Sequence, residues 1–587
     1  MSGLETSERS FTTWDGVELF YRAWESPRSD RPPNDKAVLL FHRGHEHSGR
    51  LQGLAEGLAL EGFTVFAWDQ RGHGRSPGER GWAENLAVVV KDVDAFVRHL
   101  SASSSIPVEN MAAVAYSVGS VVLSAWVHDY APPLRAMVLG TPALRVKLYV
   151  PFALAFLRLK SRFVRKSFIK SYVKSKMLTH DPEMAREYDA DPLISRQIAV
   201  NILIDLYDTS TRLLADAGAI RVPTLVLGAG SDWVVRLSAE KEFVRRLGAP
   251  VKAIEVYDGF FHAVFHEKER AKPIARTREF VLHAFEQPPA SRASLLAADR
   301  EGYTREEFDR LRRPLPLLSP RRWGFAFQRL LLKTLGRMSE GIRLGWTTGF
   351  DSGSSLDYVY ENRPRGISFL GRSIDRAYLD SVGWKGIRQR KRNLQAVLER
   401  AIEEIARVRR PVHVVDVAAG PGRYLLETVK KLSHIPIVAL LRDRDRRGLE
   451  AGRSLALQMG LANATHVDGD AFDADSLASI SPRPDVAIAS GVYELFSDNE
   501  RIARSLSGLQ RALPKDGRLI YTNQPWHPEL EMIARVLVNR DGEPWIMRRR
   551  TQAEMDELVR AAGFRKVAME IDEWGIFTVS LAEKAAR

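Results

Sequence analysis

Short apolar runs alternate with longer amphipathic stretches along the first 140 residues. The runs at 37–41, 64–68, 111–115 and 136–139 lead into His42, Asp69, a turn at Ser117 and Gly140-Thr141-Pro142. Helical periodicity lies between them, as over 86–100. Continuous apolar strands separated by helices predict a parallel sheet covered on both faces. The alternation breaks at about residue 143 and strand patterns resume at 223–227 and 251–256. The interruption, about 143–217, has the position of a lid.

A second α/β alternation begins at 412, behind a helix expected over 393–407. Its strand patterns lie at 412–417, 437–441, 484–489 and 518–521, with a final pair near 563–567 and 577–581. Between the two alternations, Glu286-Gln287-Pro288-Pro289-Ala290-Ser291 marks a domain exit. The expected organisation is a first α/β domain over 1–288, a linker and helical lead-in over 289–392, and a second α/β domain over 393–587. A length of 587 residues exceeds what one core normally serves.

Composition narrows the chemistry. The absence of cysteine excludes disulfides, zinc-thiolate sites and thiol catalysis. The first nine residues carry Glu5 and Glu8 and no apolar run, so no secretory signal is expected. No stretch reaches about 18 uncharged apolar residues, so no spanning helix is expected. The net charge is +13, and it is unevenly placed. From Arg145 to His180 there are ten Lys or Arg and no Asp or Glu, interleaved with Phe152, Phe156, Phe163 and other apolar residues. A second basic amphipathic segment runs from Arg321 to Arg337. This composition suits an interfacial helix on an anionic membrane surface, as well as an ordinary solvated face. The expected location is cytoplasmic, with contact to the inner face of the membrane. Nucleic acid ranks last as a partner, because no helix-turn-helix, finger or aromatic RNA-binding signature accompanies the charge.

The first candidate site is a nucleophile turn. Ser117 follows a strand and precedes Gly119, which suits a sharp strand–turn–helix that projects an Oγ. Asp232 and His262 each follow a later strand, in the order Ser, Asp, His that this architecture requires. His262 is expected to take the serine proton, and Asp232 to orient the imidazole. The Val118 N–H faces the developing oxyanion. His42, His45, His47 and His73 lack the helical carboxylate context of a zinc hydrolase and are read as loop-structural, so no metal is expected.

Residues 11–285 resemble the monoacylglycerol lipase and lysophospholipase branch of the α/β-hydrolases. The resemblance is carried by His42-Arg43-Gly44-His45-Glu46-His47-Ser48-Gly49-Arg50, Asp69-Gln70-Arg71-Gly72-His73-Gly74-Arg75-Ser76, the Ser117 turn and Asp258-Gly259-Phe260-Phe261-His262. It implies a serine esterase acting on lipid-like substrates, with the Gly44 N–H completing the oxyanion hole. Arg43 and Ala115 stand where that branch usually has glycine. Two readings of this half therefore stay open: a catalyst, or a non-catalytic module that binds substrate. Arg43 itself has two readings, a contact for an anionic headgroup or a surface salt bridge.

The second candidate site is a small-residue loop after a strand, Asp416-Val417-Ala418-Ala419-Gly420-Pro421-Gly422. Asp443 ends the next strand about twenty residues on, where an acid can bind ribose hydroxyls. The acid inside the first strand and the loop spacing resemble the first motif of class I S-adenosylmethionine-dependent methyltransferases, over about 390–587. That resemblance implies S-adenosyl-L-methionine as cofactor. It implies binding by Asp416, Ala418, Gly420, Gly422 and Asp443, with Asp470 and Ala471 beside the adenine. Tyr493, Glu494, Asn523, Trp526 and His527 lie on loops that can face a methyl acceptor; no base is assigned. The fold expectation is thus α/β throughout: an α/β-hydrolase fold with a helical lid, then a Rossmann-like methyltransferase fold.

Overall fold

The computed structural model describes residues 4–25, 34–164, 166–288 and 294–585. The chain divides into two compact units, Met1–Ala293 and Ser294–Arg587. Of the expected domain exit, Pro289, Ala290 and Ser291 lie outside the described residues.

The first unit is built on eight strands: β1 (Glu5–Thr12), β2 (Glu18–Glu25), β3 (Lys36–Phe41), β4 (Phe63–Trp68), β5 (Met111–Tyr116), β6 (Ala136–Gly140), β9 (Thr224–Ala229) and β10 (Lys252–Tyr257). Their order is β1-β2-β4-β3-β5-β6-β9-β10. From β4 to β10 all neighbours are parallel; β1 and β2 add an antiparallel hairpin at one edge. Every residue of β4, β5, β6 and β9 is buried, as their unbroken apolar runs require. β1 gave no strand signal because its sequence is almost wholly polar, a composition suited to an exposed edge.

Between β6 and β9 the chain inserts helices Ala153–Phe163, Pro182–Ala190 and Val200–Ala215 and a small antiparallel pair, β7 (Phe168–Lys170) with β8 (Gln197–Ala199). This is the predicted lid region. Its first helix leaves Phe152 87% and Phe163 81% exposed, with Phe156 also outward.

The second unit carries β11 (Val412–Asp416), β12 (Ile437–Asp443), β13 (Ala464–Asp468), β14 (Val486–Ala489), β15 (Arg518–Asn523), β16 (Phe564–Ile571) and β17 (Thr578–Lys584). The order β13-β12-β11-β14-β15-β17-β16 is parallel through β15, with β17 antiparallel between β15 and β16. The direction of winding reverses between β11 and β14. Both units thus have the α/β architecture expected of a hydrolase fold and a Rossmann-like methyltransferase fold.

Residues 294–392, read as linker and helical lead-in, are largely helical. They form helices Tyr303–Arg312, Pro320–Lys333, Glu340–Thr348, Gly353–Glu361 and Ser368–Leu379 and the start of Val382–Ala406. Leu311, Ile342, Phe350, Val359 and Leu379 share one core with Leu530, Val536 and Ile576 from the far end of the chain. Asp375, fully buried, ties the helices together. It accepts from the Gly341 N–H at 2.9 Å, the Arg365 N–H at 2.9 Å, the Tyr358 hydroxyl at 2.6 Å and the Ser339 hydroxyl. Gly349 (φ 90°) precedes a Gly/Ser-rich stretch. It passes so near another segment that a Cβ there would lie 2.4 Å from Arg540 Cα. The helical character was legible in the sequence; the buried polar centre at Asp375 was not, because it has no periodicity to read.

Replacing Asp375 by Ala leaves four donors without their acceptor and is expected to cost the second unit about 3–5 kcal/mol. Hydrogen exchange in the full chain checks this. Protection is expected to fall across peptides from 339–379 and to stay unchanged in β3–β6; unchanged protection in 339–379 would contradict the account.

Candidate functional sites

The first site is organised by a turn that a side chain resists. Ser117 sits between β5 and helix Val118–Tyr130 with φ 53° and ψ −113°, a region that costs a non-glycine residue about 1–3 kcal/mol. The surroundings impose it. The Ser117 N–H donates to Gly140 O at 2.9 Å, and its carbonyl accepts from Ser120 and Ala143, both at 3.1 Å. A Cβ on Gly119 would fall 2.4 Å from His42 O, so only glycine lets the helix seat against the end of β3.

The three residues named from sequence converge at the carboxyl edge of this sheet. Ser117 Oγ lies 2.8 Å from His262 Nε2, and His262 Nδ1 lies 2.8 Å from Asp232 Oδ2. The other Asp232 oxygen accepts the N–H groups of Val234 and Val235 at 2.6 and 2.8 Å. Burial alone would raise the Asp232 carboxyl. The charge and hydrogen bond of His262, with those two N–H groups, outweigh it and hold Asp232 below its usual range. The carboxylate therefore stays ionised beside the imidazole. Thr141 Oγ1 donates to His262 O at 2.9 Å and fixes the histidine loop.

Gly44 and Val118 also come together. A Cβ on Gly44 would meet Val118 Cγ2 at 3.0 Å, so Gly44 lies against the residue that follows the serine. The histidines of this region serve the loops. His42 Nε2 accepts from the Gln70 N–H at 3.0 Å, and His47 Nε2 lies 2.8 Å from Asp191 of the lid. The lid also reaches the site through Ser195, whose N–H donates to His45 O, and Leu178, whose carbonyl accepts from Ala263.

Arg43 forms a salt bridge, but a buried one. It is buried, not at the surface, and its guanidinium pairs with Glu46 at 2.8 Å and stacks on Tyr188 at 4.9 Å. Both Glu46 and the ring are thereby fixed behind Gly44. Ala115 is accommodated inside β5, paired between Phe41 and Leu139.

The second candidate site lies at the carboxyl ends of β11, β12 and β13. Gly420 (φ 54°) and Gly422 (φ 68°) form the turn. A Cβ on Gly422 would lie 2.0 Å from Leu441 Cδ2, whereas the nearest atom facing Gly420 is Gly353 Cα at 3.8 Å. The Gly420 N–H donates to Asp443 Oδ2 at 2.7 Å, and Asp443 Oδ1 accepts from Asp445 at 2.8 Å. A carboxylate offers about four acceptor positions, so Asp443 retains capacity for ribose hydroxyls. The Gly469 N–H donates to Asp443 O, which places Asp470 at the adjoining strand end; Ala471 beside it is buried. An open glycine turn, a half-buried acid and a further acid at the next strand end fit a nucleoside-bearing ligand.

Asp416, expected among the cofactor-binding residues, lies beneath the glycine turn. It is fully buried, with Oδ1 accepting from the Ala418 N–H and Oδ2 from the Tyr424 hydroxyl. Burial, eased by these bonds and reinforced by Asp443, pushes its carboxyl up to about 7. It anchors the start of the turn through the Ala418 N–H.

Of the loop residues suggested for an acceptor, Tyr493 is buried against Ser505, and Asn523 donates to Arg550 O. Burial pulls His527 down to about 3, and its Nδ1 accepts from Glu529. Trp526 is partly buried on the second unit's helical core. Glu494 alone keeps a buried oxygen without a partner. The sequence reading missed helix Gly353–Glu361, which approaches the glycine turn and holds Arg423 through Asp357 at 2.7 Å. It also missed Arg390, buried beside Gly491. Glycine at position 353 was the available signal, since a Cβ on Gly420 would lie 3.8 Å from Gly353 Cα.

Comparison with known proteins accords with this division. A family model described as putative methyltransferase matches residues 277–584, and one described as serine aminopeptidase, S33, matches 32–269. The uncharacterized protein YnbC of Escherichia coli (strain K12) is 46% identical over 583 residues, covering 98% of each chain. A monoacylglycerol lipase of Mycolicibacterium smegmatis is 27% identical over 45% of this chain and 92% of its own. The crystal structure of Paleococcus ferrophilus monoacylglycerol lipase aligns with a TM-score of 0.40 and 23% identity over 48% of this chain and 99% of that one. The chain thus belongs to the putative methyltransferase family, and it carries an S33-type hydrolase domain ahead of the methyltransferase domain.

Proposed function

We propose that the chain is bifunctional, a serine esterase of lysophospholipase-like type joined to an S-adenosylmethionine-dependent methyltransferase, both acting on lipid-like molecules. The observation that carries the first half is the pair of 2.8 Å contacts linking Ser117, His262 and Asp232. Ser117 Oγ attacks the ester carbonyl as His262 Nε2 takes its proton. Asp232 holds the imidazole and offsets its charge. The N–H groups of Val118 and Gly44 receive the oxyanion. His262 then returns the proton to the leaving alcohol, and water releases the acyl group by the same path. The lipase name of the Mycolicibacterium smegmatis relative supports an ester substrate.

For the second half, Gly420, Gly422, Asp443, Asp470 and Ala471 would hold S-adenosyl-L-methionine, with Asp416 and Ala418 shaping the turn. When bound, the cofactor supplies an electrophilic methyl group. The chain's own part is to position the acceptor and exclude water.

Exposed apolar residues ringed by cations support a lipid-like substrate met at a membrane. On helix Pro320–Lys333, Trp323, Phe327, Leu330 and Leu331 recur at i, i+4, i+7 and i+8 and face outward; Trp323 is 67% exposed. No Asp or Glu occurs between Asp309 and Glu340. With Phe152, Phe156 and Phe163 on the lid, these residues suit shallow insertion into an anionic bilayer. Among the described residues no helix is long and apolar enough to cross a membrane. The alternative of a non-catalytic hydrolase module loses one motive, because Arg43 is spent on Glu46.

A fluorophosphonate probe is expected to label Ser117 in the folded chain. Ser117→Ala removes the label, and Asp232→Asn slows it by roughly 10²–10⁴-fold. Absence of labelling in folded wild-type protein would favour the binding-module reading. In flotation assays the chain is expected to rise with phosphatidylglycerol vesicles and not with phosphatidylcholine vesicles. Trp323→Ala/Phe327→Ala is expected to weaken that binding roughly tenfold; indifference to lipid charge would remove the membrane reading.

A further inference from the structure

Four strand ends in the second unit carry ligand-directed chemistry in spatial sequence. Asp470 follows β13, Asp443 ends β12, the Gly420 turn follows β11, and Gly491 and Glu494 follow β14. Neighbouring parallel strands lie about 4.8 Å apart, so the row spans about 14 Å. The first three positions suit adenine, ribose and the thioether or sulfonium region of an S-adenosyl compound. Its other end, an α-amino acid zwitterion, then falls toward β14. This is also where the winding reverses, the place at which open α/β sheets receive ligands.

Two opposite charges wait there. Arg390, on helix Val382–Ala406, is 3% exposed. Its guanidinium lies against Gly491, where a Cβ would sit 3.1 Å from Nη2. Nη2 donates to Tyr360 Oη at 3.3 Å, Nη1 is 3.6 Å from Glu494 Oε1, and Nε has no acceptor. The Phe577 ring lies 5.2 Å away and supports the cation's face. Glu494, 8% exposed, accepts from the Thr522 hydroxyl at 2.7 Å through Oε1, and its Oε2 has no partner. Thr522 also accepts the Gly491 N–H at 2.8 Å, so Glu494 and the β14 exit are fixed as one piece.

Such an arrangement is costly as a purely structural salt bridge. A buried pair stabilises only with close geometry and its remaining donors and acceptors satisfied. Here the pair is loose and each partner has an unspent buried atom. A zwitterion supplies what both lack: a carboxylate for Arg390 and an ammonium for Glu494. Both new contacts would be charge-assisted hydrogen bonds.

We propose that Arg390 and Glu494 together form the subsite for the amino-acid end of the methyl donor, with Arg390 holding the carboxylate and Glu494 the ammonium. The proposal rests on the methyl-donor reading above and adds to it the residues that read the donor's far end. Neither residue lies in the glycine turn or at the β12 acid; Arg390 was not named from sequence, and Glu494 was named only as facing a methyl acceptor.

Isothermal titration of the full chain tests this with two ligands. S-adenosylhomocysteine carries the zwitterion; 5′-methylthioadenosine keeps the nucleoside and thioether but lacks it. Wild type is expected to bind the first about 10- to 100-fold more tightly. Arg390→Gln and Glu494→Gln are each expected to shrink that ratio about tenfold or more while leaving the affinity for 5′-methylthioadenosine unchanged. Arg390→Lys keeps the charge without the fork and is expected to fall between. A wild-type ratio near one, or an unchanged ratio in folded variants, overturns the subsite and leaves the methyl-donor reading standing. Failure of wild type to bind either ligand overturns the methyl-donor reading itself. Should the glutamine variants not fold, the wild-type ratio and the lysine variant decide.

Discussion

A parallel strand cannot be followed by its neighbour until the chain has crossed back, which takes a dozen or more residues. That constraint governs both halves of this molecule. Each crossover begins at the same edge of its sheet, so every strand-to-helix turn opens there. Ser117, Asp232 and His262 come from three different strand ends, β5, β9 and β10, separated by 115 and 30 residues in sequence. They meet because β5 and β9 flank β6 and β10 adjoins β9. Asp443, Gly420 and Gly491 meet for the same reason on the other sheet. Neither site needs a feature that the parallel topology does not already supply.

What differs is how each edge is hardened. In the first unit Ser117 occupies a strained turn, held by Gly140, Ser120 and Ala143 and admitted by Gly119. Arg43, Glu46 and Tyr188 lock the loop behind Gly44, while His47 and Asp191 tie that loop to the lid. In the second unit the glycine turn is shaped from below by buried Asp416 and Tyr424 and approached by helix Gly353–Glu361. The first edge holds a preassembled relay. The second carries acids and a buried cation with hydrogen-bonding capacity left unused.

The sequence disclosed the parts that repeat or that end strands. Buried strands such as β5 and β9 are unbroken apolar runs, and the residues that follow them were therefore placed before any geometry was known. Ser117, Asp232, His262, Gly420 and Asp443 all belong to this class. Residues whose role arises from distant packing were not legible. Arg390 resembles any basic residue on an amphipathic helix until Gly491 is brought against it. Asp375 gathers four donors that no spacing rule connects. Arg43 appeared as a departure from a glycine position and pointed toward an exposed role; burial and Glu46 assign it another. β1 escaped because a polar edge strand carries no apolar alternation.

The central claim is that one folded chain holds two independent sites of unrelated chemistry. Native mass spectrometry of the 66.1 kDa chain, treated with a fluorophosphonate and then with S-adenosylhomocysteine, addresses it in one spectrum. The account predicts a doubly loaded species, with one covalent adduct mapping to Ser117 and one non-covalent nucleoside ligand on the same molecule. A folded chain that takes up only one of the two, however the additions are ordered, would contradict it.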